Sequence, residues 1–184
     1  MSVLLNMVSG PESARGAAAD PAPAAIAAWE QFVARRDAQT ARMALGVCDG
    51  CDGCGLRCMD GFTVSRAERE AVEAYLAAQA PEEVQRVADQ EKTVPWPGAE
   101  DTGATVTFCR YRDTQNRRCS IYPVRPTVCR LFGHTPWLPC PIEAVPQVPD
   151  GSPELWRDYL AFERRTWSEW EHAEGDAELT QEIP

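Results

Sequence analysis

Apolar positions recur at spacings of three and four between Pro21 and about Leu45, where Ile26, Trp29 and Val33 have Arg35, Arg36 and Asp37 beside them. That period predicts an amphipathic helix, and Asp20-Pro21 offers a start for it. In "SRAEREAVEAYLAA", Ser65 and Glu68 have capping-box spacing, and Val72, Tyr75 and Leu76 form an apolar stripe behind them. Pro81 opens a shorter helical stretch, "PEEVQRVADQ", which "VPWPG" interrupts. The β-prone run "ATVTF", residues 104–108, predicts a short strand that delivers Cys109, and "DTQN" predicts a turn. A small hairpin is therefore expected between Cys109 and Cys119. A helical turn follows around Val128–Leu131, and then a proline-rich connection over 133–151. Ser152-Pro153-Glu154 starts a final helix that carries Trp156, Tyr159, Leu160, Trp167 and Trp170 mostly on one face. An aromatic stripe at that spacing reads as core packing.

These elements predict a mainly α fold with a small β-hairpin: a compact cysteine-lined metal-binding domain flanked by helices. Residues 1–20, rich in Ala, Ser and Gly, are expected to form a flexible N-terminus. Residues 21–172 form a single helical domain that contains a cysteine-cluster module at 48–140, and residues 173–184 form an acidic tail. At 184 residues and 44% hydrophobic, the chain can bury a core. Its net charge of −10 argues against a nucleic-acid partner. No segment approaches the roughly 20 apolar residues of a membrane span. The start "MSVLLNMVSG" has no basic segment and only a short apolar run, so a cytoplasmic protein with no membrane partner is expected.

Eight cysteines change the picture. Four lie in "CDGCDGCGLRC", at Cys48, Cys51, Cys54 and Cys58, with the spacing C-x2-C-x2-C-x3-C. The other four, Cys109, Cys119, Cys129 and Cys140, are spread over gaps of 10, 10 and 11. Four disulfides would need an oxidising compartment, and no export signal is visible, so metal explains the thiols better. Overlapping C-x2-C steps let one loop offer several sulfurs to one ion, and thiolates suit zinc and iron–sulfur clusters. The wider gaps fit ligands gathered by the tertiary fold. Eight thiols could serve two four-cysteine sites, or one site with thiols to spare. A two-cluster ferredoxin would repeat its first run and follow the fourth cysteine with proline, whereas here Met59 follows and no repeat exists.

The segment from Cys109 to Arg130 holds six arginines against one acid, Asp113, so it is +5 within an acidic chain. Those arginines could lower thiolate pKa values and offset an anionic tetrathiolate centre. They could equally form a solvated basic hairpin that pairs with acidic helices. Tyr122 and Arg130 could donate to thiolates or fix the ligand loops, or simply pack. Arg125-Pro126 reads as a backbone device that prepares the turn into Cys129. His134, between Cys129 and Cys140, could stand in for a cysteine ligand. No Ser-His-Asp arrangement, phosphate loop or paired-carboxylate constellation is recognisable, so the sequence leans away from an enzyme.

The string "CRYRDTQNRRCSIYPVRPTVCRLFG" has the form C-x9-C-x-I-Y-x2-R-P-x2-C-R. Through Cys119, Ile121, Tyr122, Arg125, Pro126, Cys129 and Arg130, with Cys109 upstream and Cys140 downstream, it resembles the YkgJ family of cysteine-cluster proteins. This family is also called the CxxCxxCC domain and is described as zinc- or iron-chelating. The resemblance covers Cys48 to Cys140 and implies a metal-chelating module, with all eight cysteines as candidate ligands. Members usually end the first run in adjacent cysteines, whereas Met59 stands beside Cys58 here. One of the first four could therefore be spare or a resolving thiol. Similar motifs in the flagellin lysine methylase group accompany an iron–sulfur cluster, which favours that cofactor slightly over zinc. No methyl-donor motif accompanies them here. Three functions follow as expectations: a metal-binding module, a redox or electron-transfer protein using a [4Fe–4S] cluster or its thiols, or an accessory factor in protein modification with an unknown protein partner.

Overall fold

The computed structural model describes residues 22–41, 54–55, 58–96, 98–135, 138–140 and 152–173. The expected flexible start, Leu45, and most of the acidic tail lie outside the described residues. Six α-helices and three two-stranded antiparallel pairs are present among those described, as the mainly α reading expects.

Helix α1 (Pro23–Ala41) buries Phe32, Arg36 and Gln39. The periodicity of Ile26, Trp29 and Val33 marked a neighbouring face. Ile26 is exposed, while Trp29 and Val33 only flank the core. The difference arises because α1 lies along α5 (Ser152–Leu160) and buries polar side chains that find partners at the start of α5 and at Thr127. Gln39 Nε2 donates to Ser152 Oγ at 3.1 Å, and Arg36 donates to Thr127 Oγ1 at 3.3 Å. Phe32 stacks on Tyr159, with ring centroids 5.8 Å apart.

Helix α2 (Arg66–Ala77) starts at the expected capping box. The Ser65 side chain accepts from the Glu68 backbone, and the Glu68 carboxylate accepts from Ser65 N–H at 3.0 Å. Glu68 is buried, and it also accepts from Tyr159 Oη at 2.7 Å and from Thr127 N–H at 2.6 Å. One carboxylate thus joins α2, α5 and the first turn of α4 (Thr127–Arg130), a buried acid satisfied by donors on every side. Helix α3 (Pro81–Ala88) has Pro81 in its first turn, as expected.

The interruption after α3 is a strand. β1 (Thr93–Pro95) pairs with β2 (Thr105–Thr107), and Val94 stands opposite Val106. β2 therefore finds its partner upstream, and the hairpin expected before Cys119 is a separate pair, β3 (Arg112–Asp113) with β4 (Arg118–Cys119). Part of the proline-rich connection also pairs, as β5 (His134–Thr135) with β6 (Leu138–Pro139).

The expected single C-terminal helix is broken. It stops at Leu160, and a second helical segment runs over 167–173. Between them Arg165 exchanges both backbone hydrogen bonds with Val64, at 2.8 and 3.0 Å. Thr166 and Glu169 then form a reciprocal cap: Thr166 N–H donates to the Glu169 carboxylate at 2.7 Å, and Glu169 N–H donates to Thr166 Oγ1 at 3.3 Å. The break lets the aromatics serve two cores. Leu155 and Tyr159 pack with Phe32, Val128 and Leu131. Trp167 and Trp170 pack with Val64, Val72 and Ile121. Leu160, at the break, is exposed.

Replacing Glu68 with Ala strands Thr127 N–H and Ser65 N–H and leaves Tyr159 Oη only its longer bond to Thr63 O at 3.3 Å, and buried donors left unpaired cost roughly 1–3 kcal/mol each. Urea denaturation of Glu68→Ala followed by far-ultraviolet circular dichroism should show a loss of about 2–4 kcal/mol. Glu68→Gln, which keeps the shape and one carbonyl acceptor, should lose less.

Candidate metal centre

The strand "ATVTF" does deliver Cys109, and it delivers it beside the first cysteine run. Asp60 N–H donates to Thr107 O at 2.9 Å, and Met59 bridges Phe108 in antiparallel fashion. Cys109 N–H donates to Cys58 O at 2.8 Å. This pairing sets the two side chains within hydrogen-bonding reach, with Cys58 donating to Cys109. Cys119 ends β4 opposite Arg112 on β3, and Ser120 N–H and Oγ both donate to Tyr111 O. Cys129 rides on α4, whose start is fixed by Pro126 and by the Glu68 carboxylate on Thr127 N–H.

These elements meet at a cavity of about 970 Å³ whose walls include Cys54, Cys58, Cys109, Cys119 and Cys129. Five of the eight predicted ligands therefore share one space. Cys140 follows β6 and is not among the residues lining it. Cys48 and Cys51 lie outside the described residues, as does the side chain of His134. No disulfide joins the six described cysteines to one another. Among the described residues no three His, Cys, Asp or Glu side chains already stand in a metal-ligating array. The described thiols are gathered around a space.

The donor set suits a thiophilic metal. Four thiols from three separate segments, with a fifth on the C-x3-C step, provide the sulfur count of a four-cysteine zinc site or of a cluster. Electrostatics show what the metal must overcome. The hydrogen bond to Cys109 and burial push the Cys58 thiol well up, while the same hydrogen bond draws Cys109 down. Burial pushes Cys119 up to about 11 and raises Cys129 further. Without metal, most of these thiols hold their protons at neutral pH.

The basic segment divides between both readings of its charge. Arg110 pairs with Glu171, and Arg118 lies 3.8 Å from Glu83. Arg130 serves the loop, with Nε donating to Arg125 O at 2.8 Å and a terminal nitrogen donating to Pro123 O at 2.7 Å. It thereby fixes the turn that leads into Cys129. Arg125 holds an extended backbone before Pro126, at φ −52° and ψ 135°, as proline requires of its predecessor.

Asp113 is the functional support that sequence reasoning missed, although its place at the head of "DTQN" is a known turn-capping position. Its buried carboxylate accepts from Asn116 N–H at 2.9 Å, Gln115 N–H at 3.1 Å, Gln90 Nε2 at 3.0 Å and the Arg86 guanidinium. It locks the hairpin that presents Cys119 onto α3. Tyr111, T-stacked on Trp167 at 5.0 Å, anchors the same hairpin to the second core, and burial pushes its hydroxyl up to about 12.

A family model described as "CxxCxxCC: Putative zinc- or iron-chelating domain" matches residues 48–156. No curated protein and no solved structure matches the chain.

Burial alone would raise the Asp113 pKa, but the Arg86 and Asn116 hydrogen bonds outweigh it and hold the carboxyl well below the usual carboxylate range. A folded-state pKa below the unfolded one contributes stability that is present above about pH 4 and is lost as pH falls further. Melting temperatures between pH 7 and pH 2 should therefore fall more steeply in the native chain than in Asp113→Asn, with the two curves starting to converge near pH 4.

Proposed function

The chain belongs to the CxxCxxCC family of zinc- or iron-chelating domains, and from that premise we propose that it holds one metal centre through thiolates drawn from both cysteine groups. The observation that carries this reading is the pairing of residues 58–60 with 107–109, which places Cys58 against Cys109 at the cavity that Cys54, Cys119 and Cys129 also line. An iron–sulfur cluster is the favoured occupant and zinc the alternative. A cavity of about 970 Å³ has room for a cluster, and arginines stand beside it to offset a polyanionic group. Bound there, a cluster would supply one-electron redox chemistry and zinc a structural cross-link.

The protein's own contribution is to desolvate the thiols and to bring together segments about 50 residues apart in sequence. Metal uptake must then displace protons from Cys58, Cys119 and Cys129, and uptake weakens on acidification. No helix among the described residues is long and apolar enough to cross a membrane. A cytoplasmic location, where thiols stay reduced, fits this chemistry.

Protein purified without oxygen should contain iron and acid-labile sulfide in near-equal amounts, with a brown visible spectrum. Zinc without sulfide would assign the alternative. Cys119→Ser and Cys129→Ser should each lose most of the bound metal. Unchanged metal in both would end the convergent-site reading. Cys140→Ser, at the described cysteine away from the cavity, should retain more metal than either.

A further inference from the structure

Arg125 lines the cavity, and its side chain has no ion pair or hydrogen bond to a described residue. Arg110 and Arg118 face glutamates, and Arg130 is spent on carbonyls. The Arg125 guanidinium lies over the Tyr122 ring, 3.7 Å from its centroid, and Tyr122 is itself substantially exposed. Contact with the ring face restrains the guanidinium. Its Nε is buried and has no hydrogen-bond partner. The backbone gives it little freedom, because Pro126 holds Arg125 extended immediately before α4. The cavity that Arg125 lines is the one shared by Cys58, Cys109, Cys119 and Cys129.

A buried charged donor without an acceptor is an incomplete arrangement, and the acceptor it lacks must be anionic or strongly polar. We propose that Arg125 is the positioning cation of the metal centre, its Nε–H donating to a metal-bound thiolate of the Cys119–Cys129 pair while its charge offsets the excess negative charge of the site. Tyr122 is the platform that holds it there. This rests on the metal-centre reading above. It gives the R-P step of the sequence string a chemical role in addition to its backbone one. Hydrogen bonds to ligating sulfur withdraw electron density from it, so they change the energy of thiolate-to-metal charge transfer as well as affinity.

The test uses the full chain, stripped of metal and titrated anaerobically with Co²⁺, with the thiolate-to-cobalt absorption band and the dissociation constant as readouts. Arg125→Met should weaken Co²⁺ binding roughly 10- to 100-fold, as loss of an outer hydrogen-bond partner does, and should shift the band to lower energy. Arg125→Lys restores charge without the planar edge, so it should recover part of the affinity and leave the band shifted. Tyr122→Leu, at an exposed ring, should move both readouts in the Arg125→Met direction by a smaller step. Circular dichroism shows whether each variant folds, and if Arg125→Met does not, Arg125→Lys and Tyr122→Leu decide. Native affinity and native band position in the folded variants overturn the role of Arg125 and leave the metal centre standing. A native chain that binds Co²⁺ without a thiolate band overturns both.

Discussion

The Glu68 carboxylate is the constraint on which the rest of the structure depends. A buried acid is tolerable only if donors surround it, and those donors come from the cap of α2, the hydroxyl of Tyr159 on α5 and the first N–H of α4. Satisfying one side chain therefore fixes three helices relative to one another. Because α4 carries Cys129, the same requirement places a candidate ligand. The polar face of α1 extends the arrangement, since Arg36 reaches Thr127 beside the carboxylate and Gln39 reaches the start of α5.

The second constraint is backbone pairing. Thiols gather here because strand edges pair, with 58–60 against 107–109 and 112–113 against 118–119. Pairing over so few residues contributes little stability alone, and the hairpin is held from outside by Asp113 on α3 and by Tyr111 on Trp167. The candidate ligands thus sit at ends of elements whose positions two hydrophobic clusters determine. A metal bound among them would tie together segments that the cores already bring close, so its effect on stability should be smaller than in a zinc finger that has no core of its own.

Much of the local structure was legible in the chain. The capping box at Ser65, the proline-led α3, the strand before Cys109 and the turn at "DTQN" each follow from a few neighbouring residues, because caps and turns are satisfied locally. The misreadings have a common cause. The buried face of α1 was shifted because Arg36 and Gln39 are polar yet buried, and their partners lie 91 and 113 residues away. The C-terminal helix was read as one because its aromatics keep helical spacing across the break. The signal for the break, "TWSE" with Thr166 and Glu169 in capping-box register, was present and outweighed by that stripe. "VPWPG" reads as an interruption on proline content, yet Thr93–Pro95 can pair along an edge, where proline's missing N–H costs least.

By itself the sequence determined the chemistry. Eight cysteines at those spacings and the R-P-x2-C-R string mark a chain of the CxxCxxCC family, described as zinc- or iron-chelating, because candidate ligand type and donor count are properties of residues. The tertiary structure decided which thiols share a space: Cys54, Cys58, Cys109, Cys119 and Cys129 line one cavity, and Cys140 stands apart from it. That outcome depends on strand register, and no local pattern encodes it, since residues 58–60 pair with 107–109, a distant part of the chain.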